Sequence, residues 1–303
     1  MRFMFFCEWI KRTEGKHGIP YLGRIRNHFA GLLENWYIRF VKIPEEPLNQ
    51  KERDKKIIVS LTSIPERIEI VYYAVKSLML QSYQPDRILL WLAKEQFEKI
   101  KIPKELLALK NMGLEIHFCK DLKPHKKYYY AMQEQGDNLL LTYDDDLIYP
   151  PDSIEKLVCW HEMYPDCIIC NRAQTLPLTD DGRLKSCLEW KVYFSEGCQS
   201  PSDKIMASTG GGCLYPPHCF GERVYHLDEI NKYALFADDL WIKTMALFYN
   251  IKIVKTTKNQ KPFTVIRNSQ EVNLTGTNDV LKKNDETVRK LQQDFPEAFL
   301  KLE

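Results

Sequence analysis

From residue 57 onward, short apolar runs alternate with longer amphipathic stretches, and this alternation restricts the possible folds more than any other feature. Four mostly apolar runs of strand length lie at residues 57–62, 88–93, 115–119 and 138–143. The stretches 70–82 and 127–135 lie between them and have helical length and spacing. Strands that alternate with helices are typical of an open, mainly parallel sheet covered by helices. We therefore predict an α/β fold of this kind.

The run that ends at Tyr143 is followed directly by three carboxylates, Asp144, Asp145 and Asp146. Neighbouring carboxylates repel one another, and a divalent cation relieves that repulsion because it prefers carboxylate oxygen. In open parallel sheets, ligands bind beyond the carboxyl ends of the strands. The turn Thr62–Arg67 follows the first strand in the same way, so both features predict one crevice. The alternative for the acids is a solvated turn.

Composition and charge bound the organisation of the chain. With 303 residues and 44% hydrophobic content it can bury a full core, and a formal net charge of +2 gives no indication of nucleic acid. Prolines and charges between residues 44 and 56 resemble a linker. We predict an N-terminal helical segment at 1–50, a catalytic domain at 51–257 and a C-terminal helical extension at 258–303 that packs on it.

Residues 1–43 are rich in basic and aromatic side chains. Apolar residues recur there at helical spacing, at Ile25, Phe29, Leu32, Leu33, Trp36 and Phe40. Such a face suits either an anionic membrane surface or packing on the domain. No stretch approaches the roughly 20 apolar residues of a membrane span, and the first residues lack a secretory signal. We expect a cytoplasmic protein, with contact at the inner face of the cell membrane as one hypothesis.

The cysteines give no sign of a metal centre. The nine cysteines include one CxxC, Cys167 to Cys170, inside an apolar run that is typical of a strand. Residues three apart on a strand point to opposite faces, whereas zinc sites use paired motifs on turns. We expect reduced thiols, some of them in the core.

The familiar phosphate-binding loops are absent from the sequence. No GxGxxG follows the first strand and GxxxxGK[ST] does not occur. A nucleotide would then be held by a metal between the acids and a diphosphate, with the turn at Thr62 and Arg67 on base and ribose and Lys127 beside the phosphates. The alternatives are a capped turn for the first two residues and a solvated helix lysine for the third.

A second acidic pair, Asp238 and Asp239, opens the apolar helical stretch 240–248. A hydroxyl group is a poor nucleophile until its proton is removed, and a carboxylate in this position could act as the base of a transfer to a hydroxyl. Helix capping is the alternative for Asp238.

Three further features between the two acidic groups are candidates for substrate contacts. Gly211 and Gly212 belong to the run Ser208–Cys213, which we predict to be a loop lying against the donor, with a flexible surface loop as the alternative. Trp190 is suited to stacking on an acceptor substrate or to the core. Arg172 is a further candidate for substrate contact.

Several spaced motifs together resemble one family. The sequence contains Leu61–Arg67, Ser77-Leu78, Gln81–Tyr83, Pro85, Lys127–Tyr129, Asp144–Asp146 and Ile148–Pro150. This pattern is similar to bacterial GT-A glycosyltransferases, family 2-like enzymes that build cell-surface polysaccharides, over roughly residues 57 to 290.

The resemblance implies a GT-A fold and a set of roles. It implies Mn²⁺ or Mg²⁺ at Asp144 and Asp146, with Asp145 beside them, and Asp239 as the base, with Asp238 as a cap or acceptor ligand and Trp241 near the acceptor. The implied reaction is the inverting transfer of a hexose from a UDP-sugar to a hydroxyl of a glycan or lipid-linked saccharide. We expect no nucleic acid partner.

One departure from the family concerns the metal. Related enzymes have a late histidine that completes the metal shell, but the last histidine here, His226, precedes the Asp238–Asp239 pair. Water or a polar residue of the C-terminal part, such as Asn284 or Asp285, would have to replace it.

Three other classes remain as alternatives. A sugar nucleotidyltransferase uses similar metal–diphosphate geometry but usually has a Gly-rich basic loop after its first strand. A haloacid dehalogenase-type phosphohydrolase would use Asp144 as nucleophile, but it expects that residue on its first strand and a Thr or Val where this chain has Leu147. A noncatalytic scaffold explains two acidic groups poorly.

Overall fold

A seven-stranded sheet forms the centre of the computed structural model, which describes residues 1–11, 21–191, 199–258, 261–269 and 278–302. The helices of these residues are α1 (Arg2–Ile10), α2 (Tyr21–Phe40), α3 (Val71–Met79), α4 (Lys94–Phe97), α5 (Lys104–Ala108), α6 (Lys126–Glu134), α7 (Ser153–Met163), α8 (Leu227–Glu229), α9 (Asp238–Phe248), α10 (Asn278–Asp294) and α11 (Pro296–Phe299). The strands are β1 (Ile57–Thr62), β2 (Arg87–Ala93), β3 (Leu114–Cys119), β4 (Leu139–Tyr143), β5 (Leu147–Ile148), β6 (Ile168–Cys170), β7 (Ala173–Thr175), β8 (Ile205–Ala207), β9 (Gly211–Tyr215), β10 (Ile253–Lys255) and β11 (Thr264–Val265).

The predicted fold class, a mainly parallel α/β sheet flanked by helices, is confirmed. The strand order is β10-β6-β9-β4-β1-β2-β3, and β9 alone among these strands runs antiparallel, between β4 and β6. The pairs β1–β2, β1–β4, β2–β3 and β10–β6 are parallel. The carboxyl ends of β1 and β4 therefore lie side by side, as the sequence predicted.

Both faces of the sheet are buried, which explains why its strands are almost continuously apolar. Along β1, Ile58 packs in one core, while Ile57, Val59 and Leu61 pack in the core on the other face. This division follows from the alternation of side chains along a strand. The four predicted strands begin and end within one residue of their expected bounds.

Helix α3 is shorter than predicted, because the chain leaves the helix after Met79 to join another segment. The Gln81 side chain donates to the carbonyl oxygens of Ser77 (3.0 Å) and Pro150 (2.8 Å). The Ser82 amide donates to Pro151 O at 2.7 Å. These bonds tie the end of α3 to the residues that follow the acidic triplet.

The N-terminal helices pack against the domain close to β5 and β11, which form a two-stranded antiparallel sheet. Met4 and Ile38 share a small core with Ala74, Ile148 and Ile266. No helix among the described ranges is long and apolar enough to cross a membrane.

The C-terminal helices α10 and α11 pack on α9. The carboxylate of Asp285 on α10 accepts from Ser186 Oγ and from the Cys187 amide, both at 2.8 Å. Both carboxylate oxygens of Asp285 are thus used to hold the short helix Cys187–Glu189 in place.

Candidate active site

The site is built first on the neighbouring ends of β1 and β4. Ser63, directly after β1, donates from Oγ to Asp145 Oδ2 at 2.5 Å. Arg67, in the turn that follows, donates to Asp145 Oδ1 at 3.0 Å and lies 3.2 Å from Asp146 Oδ2. Both oxygens of the buried Asp145 are thus used to hold the turn after β1 against the acidic triplet.

The other two acids of the triplet point to different surroundings. Asp144 accepts from Lys127 Nζ at 2.7 Å and keeps 42% of its side chain exposed. Asp146 is 16% exposed and faces Arg67. Asp144 and Asp146 are therefore the members of the triplet whose carboxylates remain accessible, while Asp145 is a structural residue of the site.

Gly210 makes room for the Asp144 carboxylate. A Cβ atom at Gly210 would lie 1.7 Å from Asp144 Oδ2, so any side chain here would displace the Asp144 carboxylate. The Asp144 amide donates to Gly210 O at 3.0 Å, and the buried Tyr149 hydroxyl lies between the carbonyl oxygens of Asp144 (3.0 Å) and Gly210 (2.8 Å). The tyrosine and the glycine together fix the direction in which Asp144 leaves the sheet.

The second acidic pair lies at the first turn of α9 and meets the residue before Gly210. Thr209 Oγ1 lies 2.7 Å from Asp238 Oδ2 and 2.6 Å from Asp239 Oδ1, and the Thr209 amide donates to Asp239 Oδ1 at 2.8 Å. Asp239 Oδ2 accepts no hydrogen bond from the described part of the chain, and Asp239 is half-buried. Asp238 is buried and provides no side-chain cap for α9, so the capping hypothesis is wrong.

Lys127 joins the two acidic groups. Its Nζ lies 2.7 Å from Asp144 Oδ1 and 3.1 Å from Asp238 Oδ2, and its side chain is 4% exposed. The lysine sits in the first turn of α6, where its carbonyl oxygen accepts from Ser60 Oγ on β1 at 2.6 Å. Lys127 is therefore a buried bridge, and the alternative of a solvated helix lysine is wrong.

Burial and neighbouring charges shift the pKa values of Asp238 and Asp239 in opposite directions. Burial and the neighbouring charge of Asp238 raise the pKa of Asp239 to about 6. Burial also acts on Asp238, but Lys127, His125 and Thr209 outweigh it and lower the pKa of Asp238. At neutral pH the pair combines an ionised Asp238 with an Asp239 that titrates just below neutrality, which suits a proton acceptor.

The residues around the triplet fit a divalent cation. Burial and the charges of Asp144 and Asp145 raise the pKa of Asp146 to about 7, against the opposing effect of Arg67 and Lys127. The described residues contain no cluster of three or more His, Cys, Asp or Glu side chains with metal-binding geometry. Mg²⁺ commonly uses one or two carboxylates and takes its other ligands from water and substrate phosphates. Asp144 and Asp146 match that limited donor set.

The predicted glycines are placed differently from the expectation. Gly211 and Gly212 are buried at the start of β9, so the prediction of a loop at these two positions is wrong. A Cβ at Gly211 would lie 2.8 Å from Arg172 Cβ, and Gly212 has a φ of +87° with Asn171 and Tyr143 packed against it. Their role is to let β9 insert between β4 and β6 with an irregular register at Thr142/Tyr143.

Arg172 and Thr62 lie at the same edge of the sheet. Arg172 packs beside Gly211, and its buried Nε has no hydrogen-bond partner among the described residues. Thr62 at the end of β1 donates from Oγ1 to Trp91 O at 2.7 Å, so its hydroxyl is engaged by β2.

Both predicted acceptor tryptophans lie in the core. Trp241 is fully buried and donates to Val224 O at 3.0 Å, so the prediction that it contacts an acceptor is wrong. Trp190 is 8% exposed and donates to Lys185 O at 3.0 Å, which agrees with the core alternative. The sequence misled at Trp241 because helical position alone does not tell which face of α9 is covered.

Sequence reasoning missed four residues that build the site: Ser63, Tyr149, Thr209 and Gly210. All four lie inside motifs that the sequence had singled out. The signal that could have found Gly210 is its place at the start of the glycine run. Apart from the contact of Tyr149 with Asp144, their partners lie 29 to 82 positions away in the chain, so only the fold reveals these contacts.

Comparison with known proteins finds similar structures at low sequence identity. No protein-family model matches it, and no curated protein matches it. Among solved structures, a mannosyltransferase from Pyrobaculum calidifontis in complex with GDP-Man and Mn²⁺ aligns with 91% of this chain and 83% of its own, at 9% identity and a TM-score of 0.44. An inositol-1-phosphate CTP transferase from T. maritima aligns with 80% and 98% of the two chains at 10% identity and a TM-score of 0.40. A CMP:2-keto-3-deoxy-manno-octonic acid synthetase complexed with CTP covers 66% and 89% at 9% identity and a TM-score of 0.39. Similarities this weak carry no argument about activity.

Proposed function

We propose that this protein is an inverting glycosyltransferase of GT-A type. In this proposal residues 51–257 form the catalytic domain, which transfers a hexose from a UDP-sugar to a hydroxyl group of a glycan or lipid-linked saccharide during surface polysaccharide synthesis. The observation that carries the proposal is the Lys127 bridge, because it joins Asp144, a proposed cation ligand, to Asp238, the neighbour of the proposed base Asp239.

Asp239 is the proposed base. Its Oδ1 is held by Thr209, whereas its Oδ2 is left available, and a pKa of about 6 leaves it ionised at neutral pH. A carboxylate in that state can take the proton of an acceptor hydroxyl as the hydroxyl oxygen attacks the anomeric carbon. One base and one direct displacement lead to inversion at that carbon. Asp238 keeps Lys127 and Thr209 in position beside it.

Asp144 and Asp146 are the proposed ligands of Mn²⁺ or Mg²⁺. When bound, such a cation would neutralise the negative charge that develops on the departing diphosphate. In the free site Lys127 holds Asp144, and its ammonium group lies where it would also attract phosphate oxygens. The proposed metal ligands are tested by Asp146→Ala, which should weaken the binding of UDP in the presence of Mn²⁺ at least tenfold by calorimetry. The same affinity in the variant would refute this ligand role.

The remaining contacts to the donor are proposed for the turn after β1 and for Arg172. Arg67 already lies against Asp145 and Asp146, next to the proposed diphosphate position. The Arg172 guanidinium, with its unpaired Nε beside Gly211, is suited to donate to an oxygen of the diphosphate or the sugar. Thr62 would contact the donor through its backbone groups, because its hydroxyl already donates to the carbonyl oxygen of Trp91 on β2.

The proposed reaction is tested by incubating the purified chain with a panel of nucleotide sugars and Mn²⁺ and measuring the released nucleotide. Slow release of UDP from a UDP-sugar, increased by a saccharide acceptor, is the expected result. Release of pyrophosphate from a nucleoside triphosphate and a sugar phosphate would instead identify a nucleotidyltransferase. Release of phosphate from phosphate esters alone would identify a phosphohydrolase and overturn the proposal. The fold does not favour that class, because the strands β1, β2 and β3 precede β4 and Asp144, whereas such enzymes carry their nucleophile on the first strand.

The proposed acceptor also suggests a location. A saccharide carried by a lipid presents its hydroxyl groups at a membrane surface, so we place the enzyme at the inner face of the cell membrane. The basic and aromatic segment 1–43 is the part of the chain whose composition supports this location.

A further inference from the structure

Helix α2 packs on the domain with the face opposite to its apolar stripe. The residues of the covered face are mostly small or polar, namely Gly23, Ala30 and Glu34, together with the apolar Ile38. The apolar residues that are exposed, by 48% to 68% each, are Ile25, Phe29, Leu32, Trp36 and Phe40. A helix of a water-exposed surface normally has the reverse arrangement. The stripe therefore does not serve the core of this chain.

Helix α1 extends the same apolar surface. Phe5, Phe6 and Trp9 are exposed by 41%, 49% and 72%. The rings of Phe6 and Trp9 stack at 6.1 Å, and Phe3 bridges the two helices by lying 6.5 Å from Trp36. We call the exposed apolar side chains of α1 and α2 the outer strip. Contiguous apolar surface of this kind marks an interaction site.

The charge around the outer strip is almost entirely positive. Arg2, Arg24, Arg39 and Lys42 are exposed. The acids of the described part of residues 1–43 are Glu8 and Glu34, and both are bonded to the buried Lys11. Within the described part of residues 1–43, the exposed charged side chains are therefore cations.

We propose that the outer strip docks on a bilayer that contains anionic lipids, with its aromatic and aliphatic side chains in the headgroup layer and its arginines and lysine against lipid phosphates. Aromatic side chains favour the membrane interface, and basic side chains favour an anionic surface. A second copy of the chain is the weaker partner, because a two-fold interface would set these cations against the same cations. This inference deepens the proposed location of the enzyme and does not depend on the sugar-transfer reaction.

The outer strip is attached directly to the edge of the candidate active site. Asn35 on α2 donates to Val265 O at 3.0 Å and accepts from the Arg267 amide at 2.8 Å. Between these two residues, the Ile266 amide donates to Asp146 O at 2.8 Å. Docking of α2 would thus fix the distance from the bilayer to the acidic triplet, as a lipid-linked acceptor requires.

The inference is tested by co-sedimentation of the full chain with vesicles of phosphatidylcholine, with and without phosphatidylglycerol, in the absence of any sugar nucleotide. Wild-type protein should bind the anionic vesicles and lose binding in high salt. The double substitution Phe29→Gln/Trp36→Gln should lower the partition coefficient at least tenfold. Arg24→Gln/Arg39→Gln should lower it about tenfold on anionic vesicles only.

Matched variants distinguish the outer strip from general surface hydrophobicity and charge. Phe118→Gln/Leu188→Gln removes two apolar side chains that are 48% and 69% exposed elsewhere, and Lys99→Gln/Lys101→Gln removes two exposed cations. Neither should change vesicle binding, and unchanged melting temperatures show that all variants fold. Absence of wild-type binding, or equal binding by the outer-strip variant, would overturn the proposal. A wild-type dimer that the outer-strip variant makes monomeric, without vesicle binding, would show that a second copy covers the strip.

Because no donor or acceptor is present in this assay, its failure would leave the proposed reaction standing. Conversely, a chain without transferase activity can still bind vesicles. The two proposals therefore fail separately.

Discussion

The two acidic groups of the candidate site differ in how the fold uses them. The triplet at the end of β4 is spread over three environments, with Asp145 turned inward to Ser63 and Arg67 and Asp144 left 42% exposed. At the start of α9, both acids of the pair contact Thr209, and Asp238 also contacts Lys127. The pKa of Asp238 is lowered and that of Asp239 is raised.

This difference suits the two groups to different chemical tasks. Carboxylates that diverge around an open space are suited to hold a cation and its ligands. Two carboxylates with separated pKa values are suited to supply one fixed charge and one proton acceptor. Because Lys127 contacts both groups, a substitution within one group tests that group alone, and a substitution of Lys127 tests both together.

Asp239→Asn gives the largest expected effect, since it removes the proposed base and keeps the size of the side chain. We expect turnover to fall by about 10²–10⁴-fold, with UDP-sugar affinity little changed. Steady-state kinetics and calorimetry of donor binding measure the two quantities. Asp137→Asn, at a residue with a 93% exposed side chain, is the control and should behave as wild type. Full turnover in Asp239→Asn would disprove the assignment of the base.

Lys127→Met tests the bridge between the groups. Removing the buried ammonium group leaves Asp144 and Asp238 without their shared counter-charge, so the free energy of unfolding should fall by about 3–5 kcal/mol. Denaturant titration measures this loss. Lys156→Met breaks the exposed pair with Asp152 and should cost about 0.5 kcal/mol or less. Equal stability of the two variants would mean that Lys127 does not couple the acidic groups.

Gly210→Ala affects the triplet and leaves the helix-start pair in place. The new Cβ would occupy the position of the Asp144 carboxylate, so metal-dependent UDP binding should weaken at least tenfold. Gly31→Ala is the matched control, because its Cβ would meet Thr264 at an ordinary 3.6 Å. Removing a glycine from the interior of α2 should raise stability by about 0.5–1 kcal/mol. Calorimetry and thermal unfolding separate the two outcomes, and unaltered UDP affinity in Gly210→Ala would contradict the role given to Asp144.

The pH dependence is the smallest effect and concerns the pair alone. Because Asp239 must be ionised to accept a proton, kcat/KM should rise with pH through about 6 and then level off. For stability the sign is the opposite: a raised folded-state pKa stabilises the fold at low pH, and that contribution is lost as pH rises through about 6. Asp239→Asn should therefore be more stable than wild type above that pH in EDTA. A rate profile that is flat across this range would contradict the assignment.

The sequence predicted the framework of the site well. β1, β4 and α6 were expected within one residue of their bounds, and Asp144, Lys127 and Asp239 were named before their contacts were known. Periodicity and abrupt changes from apolar to charged residues are local signals, so they survive in the sequence.

The errors share one physical cause. Gly211 and Gly212 were expected in a loop and lie in a buried strand, and Trp241 was expected at an acceptor and lies in the core. In each case the answer depends on which distant segment covers the residue. Helix α2 shows this most clearly, because its apolar face could be recognised in the sequence, but whether it faces the domain or the solvent could not.

The sequence by itself determined the alternation of strands and helices, the positions of the two acidic groups and the apolar stripe of α2. The tertiary structure decided that Lys127 joins the two groups, that Thr209 and Gly210 shape them, and that the stripe faces outward. Local patterns fix which elements form, because burial periodicity follows from backbone geometry. Contacts between residues far apart in the chain, and the pKa values that depend on them, arise only when the elements pack.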